Sequence, residues 1–202
     1  SVRASGDIHG YTTSNLPLNS GIPIAAVLGD QQAALLGQTC FDAGMLKNTY
    51  GTGCFLMTNT GPMLVNSSHG LLTTVGYRIG GQTTYALEGS IFVAGVAVKW
   101  LRDKLRMIDE AGDTEGIAEA NGVDTGGVYV VPAFTGLGAP YWEPDVRGTI
   151  TGMTLDTSRE QIVTATLQSV AYQTAELVDA MAHDGPDLAR VRVDGGMVVN
   201  DW

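Results

Sequence analysis

Basic charge is scarce in this sequence: 11 Lys and Arg stand against 21 Asp and Glu, a formal net charge of −10. A surface this acidic repels a phosphate backbone and an anionic membrane face, so nucleic acid is not expected as a partner. Cysteine is nearly absent. Cys40 and Cys54 lack metal-ligand spacing and are too few for a disulfide framework, which points to a reducing, cytoplasmic setting. No apolar run reaches the ~18 residues of a transmembrane helix, and the opening Ser-Val-Arg-Ala-Ser-Gly-Asp is not a signal peptide, so no membrane insertion is expected. The three histidines, His9, His69 and His183, are scattered and read as surface or packing residues. Glycine is what the chain has in excess. It occurs 27 times in 202 residues, well above the usual frequency of roughly 7%, so many backbone positions need open dihedrals or close approach.

The length suits one α/β domain. Residues 1–21 are rich in Ser, Thr, Asn and Gly without a sustained period and read as a loop or interdomain segment. The apolar run 22–28 suits a buried strand that starts at an edge. Gly29-Asp30 ends it, and Asp30 is placed to cap the helix formers that follow. Strand-like runs come next at 46–50, 54–59, 71–77 and 82–87, the last two flanking a Gly80-Gly81 hairpin turn; an antiparallel meander is the simplest reading. A helix is expected to open at 88–90 and run to 106, a short one at 114–120 and a strand at 128–133. Ser158 and Gln161 form a capping box ahead of Val163, Leu167, Val170, Leu177 and Met181, which recur at helical spacing. Gly185-Pro186 stops that helix, and Val191-Arg-Val-Asp-Gly-Gly reads as a last strand entering a glycine turn. The acidic stretch 109–119 reads as a solvated face, Cys40 as a small buried apolar residue, and Trp100, Tyr141 and Trp142 as core or interface.

Three glycine-bearing turns lie where a strand hands over to a loop or helix, the place at which open α/β sheets bind ligands. In Gly29-Asp30-Gln31-Gln32 a carboxylate on the first helical turn is favoured in its ionised form by the helix dipole and could accept a hydroxyl proton; a plain N-cap is the alternative. In Asn48-Thr-Tyr-Gly-Thr-Gly-Cys-Phe55 two glycines around a hydroxyl would let backbone amides approach phosphate oxygens, as would a bland β-turn without function. In Asp194-Gly195-Gly196, followed by Asn200, paired glycines leave room for a flat nucleotide, and a hairpin or helix entry explains them equally well.

Together and in this order these segments resemble the FGGY family of carbohydrate kinases. Gly-Asp-Gln-Gln-Ala-Ala-Leu-Leu-Gly-Gln (29–38), Lys-Asn-Thr-Tyr-Gly-Thr-Gly-Cys-Phe (47–55), Ala-Leu-Glu-Gly (86–89) and Val-Val-Pro-Ala-Phe-Thr-Gly-Leu-Gly-Ala-Pro-Tyr-Trp (130–142) are similar in particular to members that phosphorylate glycerol, and residues 148–168 resemble the family's C-terminal signature. The resemblance implies a ribonuclease H-like α/β domain of the actin, hexokinase and Hsp70 ATPase superfamily, a mixed sheet flanked by helices. Residues 22–202 would form its C-terminal nucleotide-binding domain, truncated at the carboxyl end. It implies ATP-dependent phosphorylation of glycerol, with Mg²⁺ arriving mainly on the nucleotide, in a protein that forms a homo-oligomer. Asp30 would be the base and touch the acceptor, Gln31 and Phe55 would bind the acceptor, Thr52 would meet the phosphates, and Gly95, Gly196 and Asn200 would line the nucleotide. Lys99 stands where relatives carry Gln, which leaves its part in the nucleotide pocket open. The remaining acceptor-gripping Arg, Glu and Tyr would lie in an N-terminal domain outside these residues, so the 202 residues alone are expected to be inactive. Gly21 replaces an Arg that helps some bacterial relatives bind fructose 1,6-bisphosphate, so that regulation is not expected. A kinase for another polyol or sugar, such as xylulose or erythritol, and a non-catalytic nucleotide-binding module remain as alternatives.

Overall fold

The computed structural model describes residues 2–15 and 17–202; Ser1 and Leu16, within the expected loop 1–21, lie outside the described residues. Its centre is a mixed five-stranded sheet made of β3 (Met45–Tyr50), β4 (Cys54–Gly61), β5 (Leu72–Ile79), β6 (Gln82–Ile91) and β9 (Arg190–Asp194), in the order β5-β6-β4-β3-β9. Two-residue strands β1 (Gly10–Tyr11) and β2 (Pro23–Ile24) pair with each other, and β7 (Tyr129–Val131) pairs with β8 (Thr149–Thr151). The helices are α1 (Asp30–Gly37), α2 (Gly95–Asp103), α3 (Asp113–Asn121) and the 26-residue α4 (Arg159–Asp184).

Because strand side chains alternate between faces, β3 and β4 each feed two cores. Met45 and Met57 join Leu35 of α1 beneath one face, while Leu46, Cys54 and Leu56 meet Leu177 and Met181 of α4 on the other. Val98 and Leu101 of α2 pack against Val163 near the start of α4, and Val130 packs against Ala165. β9 adds in parallel to β3, with Thr49 opposite Asp194.

Several expectations hold. Gly80 and Gly81 turn the β5–β6 hairpin with φ of 58° and 79°, dihedrals that glycine adopts without penalty. The capping box is present: Ser158 Oγ accepts from Gln161 N, Gln161 Oε1 accepts from Ser158 N, and Gly185 caps the far end.

Others need correction. The apolar run 22–28 is not a buried strand; only Pro23–Ile24 is extended, and Ile22, Ile24 and Val27 are exposed, since an apolar run fixes burial only where another element covers it. The meander is not simple, because β6 inserts between β4 and β5. No helix opens at 88–90: β6 continues through Ile91 and α2 starts at Gly95. Gly89 is the reason. A Cβ there would stand 3.0 Å from Leu177 Cδ1, so this glycine marks a strand pressed against α4 rather than a helix entry. The N-cap of α1 is Gly29, and Asp30 is the first helical residue, its Oδ1 accepting from Gln31 N.

The end of α4 is tied down by Asp184, whose side chain is 4% exposed. Its carboxylate accepts from Ser67 Oγ, Ser68 N and Oγ, and His69 N, with His69 Nδ1 at 2.6 Å. Burial alone would raise this carboxyl group, but the bonds from Ser67, His69 and Ser68 outweigh it and hold the group below the usual carboxylate range. A carboxyl group depressed in the folded state contributes stability above its unfolded value and loses it as pH falls toward the folded one. Asp184→Asn is therefore expected to lower the melting temperature at neutral pH and to flatten its decline under acid, as scanning calorimetry across pH will report. Ser158→Ala is expected to cost about 1 kcal/mol in a denaturant titration, the usual value of an N-cap side chain.

Candidate functional site

The ends of β3 and β9 open on a cleft of about 710 Å³. Thr52, Gly95, Lys99, Gly196 and Asn200, which the sequence placed in a nucleotide pocket, all line it, together with Tyr50. The Gly51-Thr52-Gly53 turn is held by the start of α2: Ala94 N and Val96 N donate to Thr52 O, and Gly95 N donates to Gly51 O. The first amides of α2 are thus already used. No acceptor among the described residues takes the Thr52 or Gly53 N–H, and amides left in this way suit an anion.

Three glycines here are required by close approach, one of them Gly95, whose Cβ would lie 2.5 Å from Gly51 O. A Cβ on Gly53 would lie 2.2 Å from Ile91 O, and one on Gly195, at φ 97°, would lie 2.2 Å from Tyr50 O. Gly196 is different: a Cβ there meets nothing within 4 Å and would project into open space. Lys99 lies one helical turn beyond Gly95 and brings a cation to the cleft, whereas Arg102 is drawn to Asp103, Nε to Oδ1 at 2.7 Å. Asn200 is fixed by Nδ2 donating to Thr114 Oγ1 and by Oδ1 accepting from Trp202 N.

Asp30, Gln31 and Phe55 do not line this cleft. They gather on the α1 face of the sheet, around a residue that the motif reading passed over. Lys47 is fully buried, and its Nζ donates to Gln31 Oε1, to Phe55 O at 2.9 Å and to Thr49 Oγ1 at 3.3 Å. Burial lowers the Lys47 ammonium to about 8, against the opposing pull of Asp194, Glu88 and Asp30. Burial also raises Glu88; Lys47 counters this and the charge of Asp30 adds to it. Gln38 Nε2 donates to Asp194 Oδ2 at 2.6 Å, while Asp194 Oδ1 and Arg192 Nε are buried without a partner among the described residues. The sequence did carry a signal for Lys47: a lysine inside a strand run, between Leu46 and Asn48, is rarely buried unless it is paired.

The two groups of residues therefore occupy the two faces of the sheet and meet at its edge, where β3 passes into the glycine turn. Thr49 faces Lys47, Tyr50 faces the cleft, and Thr52 follows in the turn itself.

The chain is similar to known proteins over most of its length. Residues 46–202 match the model of the FGGY family of carbohydrate kinases, C-terminal domain. The chain is 60% identical over 186 residues to a glycerol kinase of Ectopseudomonas mendocina, and 60% identical over 185 residues to glycerol kinase 1 of Pseudomonas aeruginosa; each alignment covers 92% of this chain and 37% of the relative. Among solved structures, Plasmodium falciparum glycerol kinase with ADP superposes with a TM-score of 0.88 at 43% identity, over 98% of this chain and 40% of that one. A xylulose kinase from Rhodospirillum rubrum shares the fold alone, with a TM-score of 0.81 at 20% identity over 98% of this chain and 40% of its own. The chain thus spans well under half the length of the curated relatives it matches. With the actin and hexokinase type of ATPase fold in its sheet and helices, and the family's C-terminal pattern running from Leu46 to its last residue, this chain belongs to the FGGY family of carbohydrate kinases.

Proposed function

We propose that these residues are the nucleotide-binding part of an enzyme that transfers the γ-phosphoryl group of ATP to glycerol. The observation that carries this reading is the convergence of Thr52, Gly95, Lys99, Gly196 and Asn200 on one cleft, with Asp30, Gln31 and Phe55 grouped just across the same sheet edge. The identity to glycerol kinases and the likeness to one carrying ADP support it.

Phosphoryl transfer asks a protein for positioning and charge stabilisation more than for covalent chemistry. Asp30, exposed at the start of α1, accepts the proton of the attacking hydroxyl. Gln31 hydrogen-bonds the acceptor and Phe55 packs against its carbon chain. Thr52 and the turn amides meet the phosphates at the edge between the faces, Lys99 adds positive charge, and Gly196 leaves the space that the nucleotide fills. Among the described residues no three His, Cys, Asp or Glu side chains converge, so they form no cage for Mg²⁺. The ion is read as travelling with the nucleotide phosphates and its own waters. Glycerol and ATP are the partners in this reading, in a homo-oligomer of the cytoplasm; among the described residues no helix is long and apolar enough to cross a membrane.

A coupled assay of the full-length protein with ATP and a panel of polyols tests the proposal. Turnover on glycerol above that on xylulose or erythritol is expected, and a preference for another acceptor overturns the choice of substrate. Asp30→Asn should lower turnover by a factor on the order of 10² or more while leaving nucleotide binding in place; unchanged turnover would exclude Asp30 as the base. The isolated 202 residues are expected to show no glycerol phosphorylation above a blank. Gly196→Ala, whose Cβ meets nothing in the protein within 4 Å, should weaken ADP binding severalfold in a calorimetric titration without lowering the melting temperature.

A further inference from the structure

Lys47 is a buried cation in contact with Gln31 and Phe55, which are read above as the acceptor side. It stands on β3 with no exposed surface, and its ammonium has three donors and no acceptor. All three donors are used, on Gln31 Oε1, Phe55 O and Thr49 Oγ1. Two of these partners belong to residues read as binding the acceptor, and the third acceptor-side residue, Asp30, contributes to the field around the ammonium. An ammonium can face only the oxygen of an amide. Gln31 is therefore held with Oε1 on the ammonium, and its two Nε2 donors are left for a ligand.

We propose that Lys47 is a positioning residue for the acceptor: by gripping Gln31 and the Phe55 carbonyl together it fixes the Gln31 amide as a hydrogen-bond donor, so that the site takes an acceptor hydroxyl by its oxygen at Gln31 while Asp30 takes its proton. This rests on the acceptor assignment made above. It assigns a preference as well: a group that accepts is favoured at Gln31 Nε2, and a polyol hydroxyl, which accepts and donates together, satisfies both side chains.

The ammonium is also poised to titrate. Burial is the main cause of its lowering to about 8. The charged and titratable groups around it come from every neighbouring element: Asp30 on α1, Cys40 after α1, Glu88 on β6, and Asp194 with Arg192 on β9. Below that value the ammonium is charged and holds Gln31; as pH rises through it, one donor and the charge are lost and the grip loosens.

The test is steady-state kinetics of the full-length protein, with the KM for glycerol and for ATP measured separately from roughly one unit below to roughly one unit above that value. In the wild type the glycerol KM should rise severalfold across the window while the ATP KM stays level. Lys47→Met should raise the glycerol KM at neutral pH by about tenfold, the worth of a charge-assisted hydrogen bond, leave the ATP KM within about twofold, and abolish the pH dependence. If Lys47→Met does not fold, the wild-type profile decides alone. A glycerol KM that is flat with pH, or a folded Lys47→Met with equal losses for both substrates, overturns the proposal and leaves the kinase reading standing. A wild type with no turnover on glycerol overturns the kinase reading, and this inference with it.

Discussion

The structure depends on the register of one strand. β3 lies between β4, which it meets antiparallel, and β9, which it meets in parallel, and its side chains alternate at a period of two. Lys47 and Thr49 therefore reach the α1 face, while Leu46 and Tyr50 reach α4 and the cleft. A slip of one residue would place the buried ammonium in the apolar core under α4 and Tyr50 among the acceptor residues. Both neighbouring ladders, and the two cores that the strand feeds, oppose that slip. The separation of the Lys47 side from the cleft side is thus a property of strand pleat.

At the end of β3 the packing demand changes from volume to clearance. Gly53 and Gly195 are pressed against carbonyl oxygens at distances no Cβ tolerates, so the turn and the end of β9 close on their neighbours as bare backbone. A Cβ on Gly196, next in sequence, would meet nothing within 4 Å. Two adjacent glycines thus differ: one lets the protein approach itself, and the other borders open space in the cleft. The polar groups follow the same division. Asn200 is already fixed by Thr114 and the Trp202 amide, whereas the turn amides at Thr52 and Gly53 are left over.

Much of this was legible in the residues. The capping box at Ser158, the glycine hairpin at 80–81 and the strand runs at 46–50 and 54–59 are local signals, and local chemistry decided them. The misread segments are those where tertiary contact overrides local pattern. Gly89 looks like a helix entry until Leu177 is seen against it, and residues 22–28 look buried until the absence of a covering element among the described residues is known. The place of β6 between β4 and β5 could not be read from order along the chain, since hairpin signals fix which strands pair locally but not which edge they add to. Of the residues proposed to bind the nucleotide, Thr52, Gly196 and Asn200 were marked by glycine turns at strand ends, and Gly95 and Lys99 only by the family resemblance; the cleft brings all five together. Lys47 was missed because a motif is read at its glycines, and its role depends on three partners, two of them distant in sequence: Gln31, Thr49 and Phe55.

The bonds that seat the Gly51-Thr52-Gly53 turn on α2 have a mechanical meaning. Those same first residues of α2 continue into Val98 and Leu101, which are wedged against Val163 near the start of α4, and α4 is a rod of 26 residues, roughly 39 Å long, whose other tip is moored through Asp184 to the loop at 67–69. The turn, the start of α2 and the near end of α4 are thus joined by one continuous set of contacts, while the far end of α4 is held separately at residues 67–69.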